Sequence, residues 1–119
     1  MEFALLFYLD EANFAGMTPE ENRKLQDDCR KEDEDLEKAG RLVIARALEA
    51  PSKAVTVSVR ASKAPRTDGP FAETKEHLGG LVIVRVKDME EALRLAESSP
   101  LARYGKVEVR PLYDIRAVA

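Results

Sequence analysis

The sequence contains only one cysteine and one histidine, Cys29 and His77, among 119 residues. A single cysteine excludes an internal disulfide and a structural zinc site built from clustered thiolates. No segment approaches the roughly 20 apolar residues that span a bilayer, and no basic region leads into an apolar run at the N-terminus. We therefore expect a protein of the reducing cytoplasm with no membrane partner.

The sequence also lacks a basic stripe. Its 19 lysines and arginines are scattered among 22 acidic residues, and the net charge is −3. Proteins that bind a phosphate backbone gather their basic residues on one surface, so we expect no direct nucleic-acid partner. No phosphate-binding glycine loop, cofactor fingerprint or familiar metal-ligand spacing is present. The sequence therefore predicts no cofactor and no metal.

Length and composition predict a single soluble domain over residues 1–119, because a chain of this size buries one core. Hydrophobic residues make up 45% of the chain and charged residues 34%. Apolar periodicity predicts five strands, bounded by turn residues or by changes in pattern. The strands are residues 3–9, 41–48, 54–60, 81–86 and 107–111.

The strand at residues 54–60 alternates strictly, with Val55, Val57 and Val59 on one face. We predict that it forms an antiparallel pair with residues 41–48, joined through Pro51. The run at residues 81–86 is β-branched throughout its centre, which predicts a buried strand.

Two helices are predicted from their caps. Thr18-Pro19-Glu20-Glu21 is a capping box with proline at the first helical position, and the helix should end at Gly40. Its apolar stripe is thin and the rest is rich in acidic residues, so it either faces solvent or offers a partner surface. Cys29 lies on the stripe as a small hydrophobe. A second capping arrangement starts at Asp88, and its core stripe is Met89, Ala92, Leu93 and Ala96.

The resulting order, β-α-β-β-β-α-β, is close to the split βαβ pattern of ferredoxin-like α+β folds. Two helices cover only one face of such a sheet. The other apolar face then needs a partner, which predicts a homodimer.

One stretch combines turn residues with side chains suited to chemistry. Residues 67–80 read Thr-Asp-Gly-Pro-Phe-Ala-Glu-Thr-Lys-Glu-His-Leu-Gly-Gly. Asp-Gly-Pro favours a tight turn, and the closing glycine pair permits a close approach of the backbone. A turn alone does not call for the charged residues that follow. We predict that this segment, between two strands, forms the functional site.

The same stretch resembles the signature of the DGPF group of YCII-related proteins. The likeness extends to Thr18-Pro19-Glu20-Glu21, Ala39-Gly40 and Val107-Glu108-Val109-Arg110-Pro111, and so to nearly the whole chain. The resemblance implies a dimeric α/β barrel and an association with extracytoplasmic-function sigma factors. It also implies a His-Asp pair associated with the first strand, but residues 3–10 contain no histidine.

Asp68 is the candidate catalytic carboxylate, and His77 is a second catalytic candidate because imidazole exchanges protons near neutral pH. Each has a structural alternative: Asp68 caps the turn, and His77 is a solvated loop residue. Phe71 either walls a pocket or anchors the core, and Lys75 either holds an anion or pairs with a neighbouring glutamate. The predicted ligand-binding residues are Gly69, Pro70, Phe71, Glu73, Thr74, Lys75, Glu76, Gly79, Gly80 and Arg110.

Two functions follow from these observations. In the first, a homodimer binds a small polar or anionic ligand in a cleft near residues 68–76, with or without catalysis. In the second, the protein is a non-catalytic interaction module that contacts a sigma factor through its acidic first helix. The sequence leaves open whether the protein is an enzyme.

Overall fold

The computed structural model describes residues 1–72 and 74–117. These residues form six strands and two α-helices, with short 3-10 helices between some of them. Their bounds are β1 Glu2–Asp10, α1 Pro19–Lys38, β2 Leu42–Ala47, β3 Val55–Val57, β4 Arg66–Asp68, β5 Glu76–Arg85, α2 Met89–Ser98 and β6 Gly105–Pro111.

Four of the strands form one antiparallel sheet in the order β2-β5-β1-β6. β1 lies inside the sheet because its run of large apolar side chains needs cover from strands on both sides. β3 and β4 form a separate two-stranded sheet. The four-stranded sheet with two helices is an α+β fold consistent with the ferredoxin-like prediction.

The core lies between one face of the sheet and the two helices. Alternate residues of β1, Phe3, Leu5 and Phe7, are at most 5% exposed and pack with Val84 of β5. Leu36 of α1 and both Ala92 and Ala96 of α2 cover them. The small alanines let α2 approach the sheet closely. This arrangement agrees with the prediction that both helices cover one face.

Both predicted helix starts are confirmed by their caps. The Thr18 hydroxyl accepts a hydrogen bond from the Glu21 amide at 3.1 Å, and the Asp88 carboxylate accepts one from the Glu91 amide at 2.9 Å. The apolar stripe of α2 was predicted less well. Met89 and Leu93 are each 36% exposed, so Ala92 and Ala96 carry the contact with the sheet.

The predicted pairing of residues 41–48 with 54–60 is wrong. β2 instead pairs with β5, and β3 pairs with β4. Ten-residue β5 offers β2 a long apolar partner, whereas a 3-10 helix at Pro51–Lys53 turns the chain away from the sheet. The alternating valines therefore belong to a hairpin that projects from the sheet. We call residues 54–69, which contain β3 and β4, the arm.

The second face of the sheet has no helix above it. Leu6, Ile44, Leu81 and Ile83 lie on it and are half-buried. Charged side chains at its rim pair within the chain: Arg85 binds Glu2 at 3.1 Å and Lys106 binds Glu76 at 2.7 Å. We call this surface the open face.

Candidate functional site

A cavity of about 610 Å³ lies where the end of β1, the start of β5 and the base of the arm meet. Most of its lining is apolar, with a few polar groups, as is typical of sites for small organic ligands. The lining residues are Tyr8, Leu48, Glu49, Ala50, Pro51, Lys53, Ala54, Pro70, Phe71, Ala72, Thr74, Glu76, His77 and Leu78. We call this cavity the sheet-end pocket.

A β-bulge sets the floor of the sheet-end pocket. The register between β1 and β5 shifts between Phe7 and Tyr8, so that Tyr8 lies opposite Leu78 and Leu9 opposite His77. Bulges redirect the side chains that follow them and are frequent beside functional sites. The shift places Tyr8 and Leu78 on the open face at the end of the sheet, and Leu78 directly follows His77 in sequence.

The base of the arm forms the opposite wall. The Thr56 hydroxyl donates a hydrogen bond to the Gly69 carbonyl at 2.8 Å, and the Gly69 amide donates to the Ala54 carbonyl. These bonds fix the turn that precedes Pro70 and Phe71. The ring of Phe71 is 90% exposed although it borders the pocket, so it stands at the pocket mouth and is not a core anchor.

The charged side chains around the pocket have carboxylate partners of their own. Lys53 lies 3.2 Å from Glu49, and the Lys106 ammonium lies 2.7 Å from the Glu76 carboxylate. The hydrogen bond with Glu76 raises the pKa of Lys106. Such pairing leaves no described lysine of the lining as a dedicated anion site.

The structure brings five of the predicted site residues to one pocket. His77 and Glu76 come from the start of β5, while Pro70, Phe71 and Thr74 come from the loop before it. The Thr74 hydroxyl donates a hydrogen bond to the Glu76 carbonyl, which ties the loop to the strand. His77 is half-buried, so it is not the fully solvated residue of the alternative interpretation.

Six predicted site residues lie outside the lining. Asp68 is exposed on β4, where it faces Val55 of β3, and Lys75 points outward to Asp10 at 3.7 Å. Arg110 lies on β6 opposite Ala4. The other three are Gly69, Gly79 and Gly80. Glu73, also predicted to bind ligand, lies outside the described residues.

Gly79 and Gly80 allow neighbouring strands of the sheet to pack closely. A Cβ atom on Gly80 would lie 2.9 Å from the Arg46 carbonyl oxygen of β2, and one on Gly79 would lie 2.5 Å from the Leu9 side chain. The sequence analysis predicted that these glycines let the backbone approach a ligand closely. In the structure their close neighbours are instead residues of the adjacent strands.

Tyr8, Leu48 and Lys53 are pocket residues that the sequence analysis missed. Tyr8 belongs to β1, and the other two lie between β2 and β3, far along the chain from residues 67–80. Only the pairing of β1 and β2 with β5 brings them together. The one signal in the sequence was Pro51, which marks a turn beside the missed segment.

A smaller cavity of about 170 Å³ lies between α1 and the sheet. The α1 residues that line it are Cys29, Glu32 and Asp33. Burial, followed by the charge of Glu32, raises the pKa of Cys29 to about 11, so the thiol stays protonated. Burial and the nearby Asp33 and Asp35 raise the pKa of Glu32 to about 7.

Among residues 1–72 and 74–117 no group of three or more His, Cys, Asp or Glu side chains is arranged to hold a metal ion.

The raised pKa of Glu32 predicts that stability falls as pH rises. The folded protein holds the proton up to about pH 7, whereas the ordinary value is 4.5, so the stabilisation is complete below pH 4.5 and is lost as pH passes 7. Glu32→Gln should therefore raise the free energy of unfolding by about 1–3 kcal/mol at pH 8 and change it little at pH 4. Urea unfolding at both pH values measures this, with Glu34→Gln as the matched control. Equal effects at the two pH values would contradict it.

The family of the chain follows from its similarity to known proteins. A family model described as the YCII-related domain matches residues 1–116. The chain belongs to the YCII-related domain family. An uncharacterized protein of Rhizobium meliloti (strain 1021) is 33% identical to this YCII-related chain over 114 residues, covering 94% of this chain and 92% of that protein.

The YCII-related chain is also similar to a solved enzyme structure. That structure is the 5-chloro-2-hydroxyhydroquinone dehydrochlorinase (TftG) of Burkholderia phenoliruptrix AC1100 in complex with 2,5-dihydroxybenzoquinone. The match has a TM-score of 0.58 and 11% sequence identity, and it covers 98% of this chain and 97% of the other. At this identity the likeness supports only the similarity of the two folds.

Among the described helices of the YCII-related chain, none has the length and apolar character needed to cross a membrane.

Proposed function

We propose that this YCII-related protein binds a small ring compound with hydroxyl or carbonyl substituents in the sheet-end pocket. The observation that carries the proposal is the mostly apolar cavity of about 610 Å³ that has His77 among its lining residues. A volume of this size suits a small organic molecule. The sequence predicted a small polar or anionic ligand. The hydroxyl or carbonyl groups of the ring compound supply this polar character, and the compound does not need to carry a negative charge.

His77 is the proposed proton-transfer group, because it is the one imidazole of the chain and borders the pocket. Thr74 and the Tyr8 hydroxyl are proposed to position polar substituents. Asp68, the first catalytic candidate, is proposed instead to act outside the pocket, since it lies on the arm. The dehydrochlorinase of similar fold was solved with a hydroxylated quinone, and this supports an enzymatic role by analogy.

We further propose that the protein is a cytoplasmic homodimer of the DGPF-type subgroup, with two sheets closing a dimeric α/β barrel. The Asp68-Gly69-Pro70-Phe71 motif supports the subgroup, and the uncovered apolar centre of the open face supports the dimer. Tyr8 and Leu78 belong to both the open face and the sheet-end pocket. The partner subunit would then border the pocket mouth.

The test is a thermal-shift screen of hydroxylated and carbonyl-bearing ring compounds, because a ligand that binds the native state raises its melting temperature by mass action. Hits on the wild type should weaken about tenfold or more in His77→Ala, which loses one hydrogen bond near a buried surface. Glu97→Gln, an exposed residue of α2 outside the pocket and the arm, is the matched control and should bind like the wild type. Hits that bind His77→Ala as tightly as the wild type would contradict the proposed site.

A second candidate function is the sigma-factor interaction module. The observation that favours it is α1, whose residues face solvent apart from Leu25, Leu36 and a few half-buried positions, and which is dominated by acidic side chains. If no compound shifts either protein, this candidate becomes the stronger one. Charge reversal along α1 should then abolish capture of the sigma factor, and capture that persists would exclude α1 as the contact.

A further inference from the structure

The arm is a well-formed hairpin that makes no extended contact with the other described strands and helices. Arg60 and Lys63 exchange backbone hydrogen bonds of 2.8 Å in both directions around Ala61 and Ser62, whose positive φ angles of 49° and 66° match a two-residue hairpin turn. β3 and β4 pair with each other and make no extended contact with any other described strand or helix. A two-stranded hairpin alone is marginally stable in water. A contact with a further surface would therefore stabilise the arm.

One face of the arm carries three valines that are open to solvent, with the charged cross-strand partners Asp68 and Arg66 beside Val55 and Val57. Val55, Val57 and Val59 are 58%, 55% and 64% exposed and lie on the same face of the strand by alternation. The other face is polar, and its Thr56 hydroxyl is bonded to the Gly69 carbonyl. Exposed β-branched residues in a row mark a contact surface. We call this row of valines the valine face.

The shape of the chain agrees with a projecting contact element. The radius of gyration is 16.6 Å, whereas a compact chain of this length has about 13–14 Å. The overall extents are 49 × 47 × 20 Å, so the molecule is broad and thin. Such a shape leaves much surface for association.

The area available on the open face indicates what the arm contacts. Four strands about 4.8 Å apart, each 6 to 10 residues long, have a flat footprint of roughly 500 Å². A stable dimer of standard size buries about 800 Å² of accessible surface on each partner. The exposed valine face offers further surface for such a contact.

The charge of the arm suits a second copy of the same chain. The valine face carries one basic and one acidic side chain, Arg66 and Asp68, opposite Val57 and Val55. In a two-fold dimer both charges are present on each subunit, so the face can pair with a copy of itself.

We propose that the arm clasps a second copy of this chain, with the valine face packed against the partner subunit. This inference rests on the homodimer proposed above and names the surface that completes it. Because Pro70 and Phe71 follow the arm directly and line the pocket, docking of the arm also fixes the pocket wall. Asp68, which faces Val55 on the arm, then contributes to association and not to chemistry.

The test is sedimentation equilibrium of the wild type, Val57→Lys and Ser58→Lys at micromolar concentrations. Val57→Lys places a charge in the contact and should raise the dimer Kd at least about 30-fold. Ser58→Lys adds the same charge on the opposite face of the same strand and should stay within about threefold of the wild type. Slow amide exchange at Val84, a fully buried core residue of β5, verifies that the rest of the chain remains folded in Val57→Lys.

A wild-type monomer, or a Val57→Lys protein that dimerises as tightly as the wild type, overturns the inference. Equal weakening by both lysines also overturns it, because charge alone would then be responsible. Ligand binding is read separately by thermal shift on the same proteins. A dimer that needs the valine face but binds no ring compound would refute the proposed ligand and leave the arm contact standing.

Discussion

Ala50→Trp should abolish binding of every ring compound that stabilises the wild type through the sheet-end pocket. Ala50 lines the pocket but its side chain is exposed, so a large indole can enter the cavity without disturbing the core. Overlap with the ligand should weaken binding by more than about 100-fold, or about 2.8 kcal/mol. Isothermal titration of the best hit measures this.

The matched control for the blocked pocket is Ala15→Trp. Ala15 is also an exposed alanine and does not line the sheet-end pocket. The affinity of the Ala15→Trp protein for the ring compound should equal that of the wild type. Unchanged affinity in Ala50→Trp, with both proteins folded, would show that the ligand binds elsewhere.

Gly105→Ala should have the largest effect on stability among the glycines. A Cβ atom there would lie 1.9 Å from the Tyr8 carbonyl oxygen and 3.1 Å from the Leu9 Cα atom, both of which are backbone. Neither can move without separating β6 from β1. We expect a loss of at least about 3 kcal/mol, with a fall in melting temperature of about 10–20 °C.

Gly16→Ala provides the contrast, since nothing lies within 4 Å of the added methyl group. Its melting temperature should stay close to that of the wild type or rise slightly, because alanine restricts the unfolded chain. The effect of Gly105→Ala extends to function, because Gly105 holds β6 against the strand that supplies Tyr8 to the pocket. A Gly105→Ala protein that melts with the wild type would contradict the tight packing at this corner.

Local patterns predicted those elements whose signals lie within a few residues. The capping residues Thr18 and Asp88 marked both helix starts, and the apolar run at residues 3–9 marked a strand inside the sheet. Helix caps are local hydrogen bonds, so they need no knowledge of the rest of the fold. The same holds for the strand character of the alternating valines.

Pairing between strands was harder to predict because it depends on distant residues. Alternation showed that Val55, Val57 and Val59 share a face, but it did not show that the face lacks cover within the chain. Residues 41–48 were therefore assigned to a neighbour in sequence when their partner is β5. Side-chain alternation specifies two faces of a strand and leaves the identity of the adjacent strand open.

The site was predictable in the same partial way. Residues 67–80 were identified as a site because of their chemistry, and the loop and β5 segments of this stretch do reach one pocket. The pocket also needs Tyr8 and Leu48, which the antiparallel sheet brings from other parts of the chain. Asp68 and His77 are only nine positions apart, yet the turn at Gly69 and Pro70 places the first on the arm and the second in the pocket.

The most direct test of the central proposal is a crystal structure of the protein soaked with the ring compound that gives the largest thermal shift. The account predicts electron density for the compound between Tyr8 and Phe71, with a hydroxyl or carbonyl group within hydrogen-bonding distance of His77 or Thr74. Density for the compound at another surface, with the sheet-end pocket empty, would contradict it.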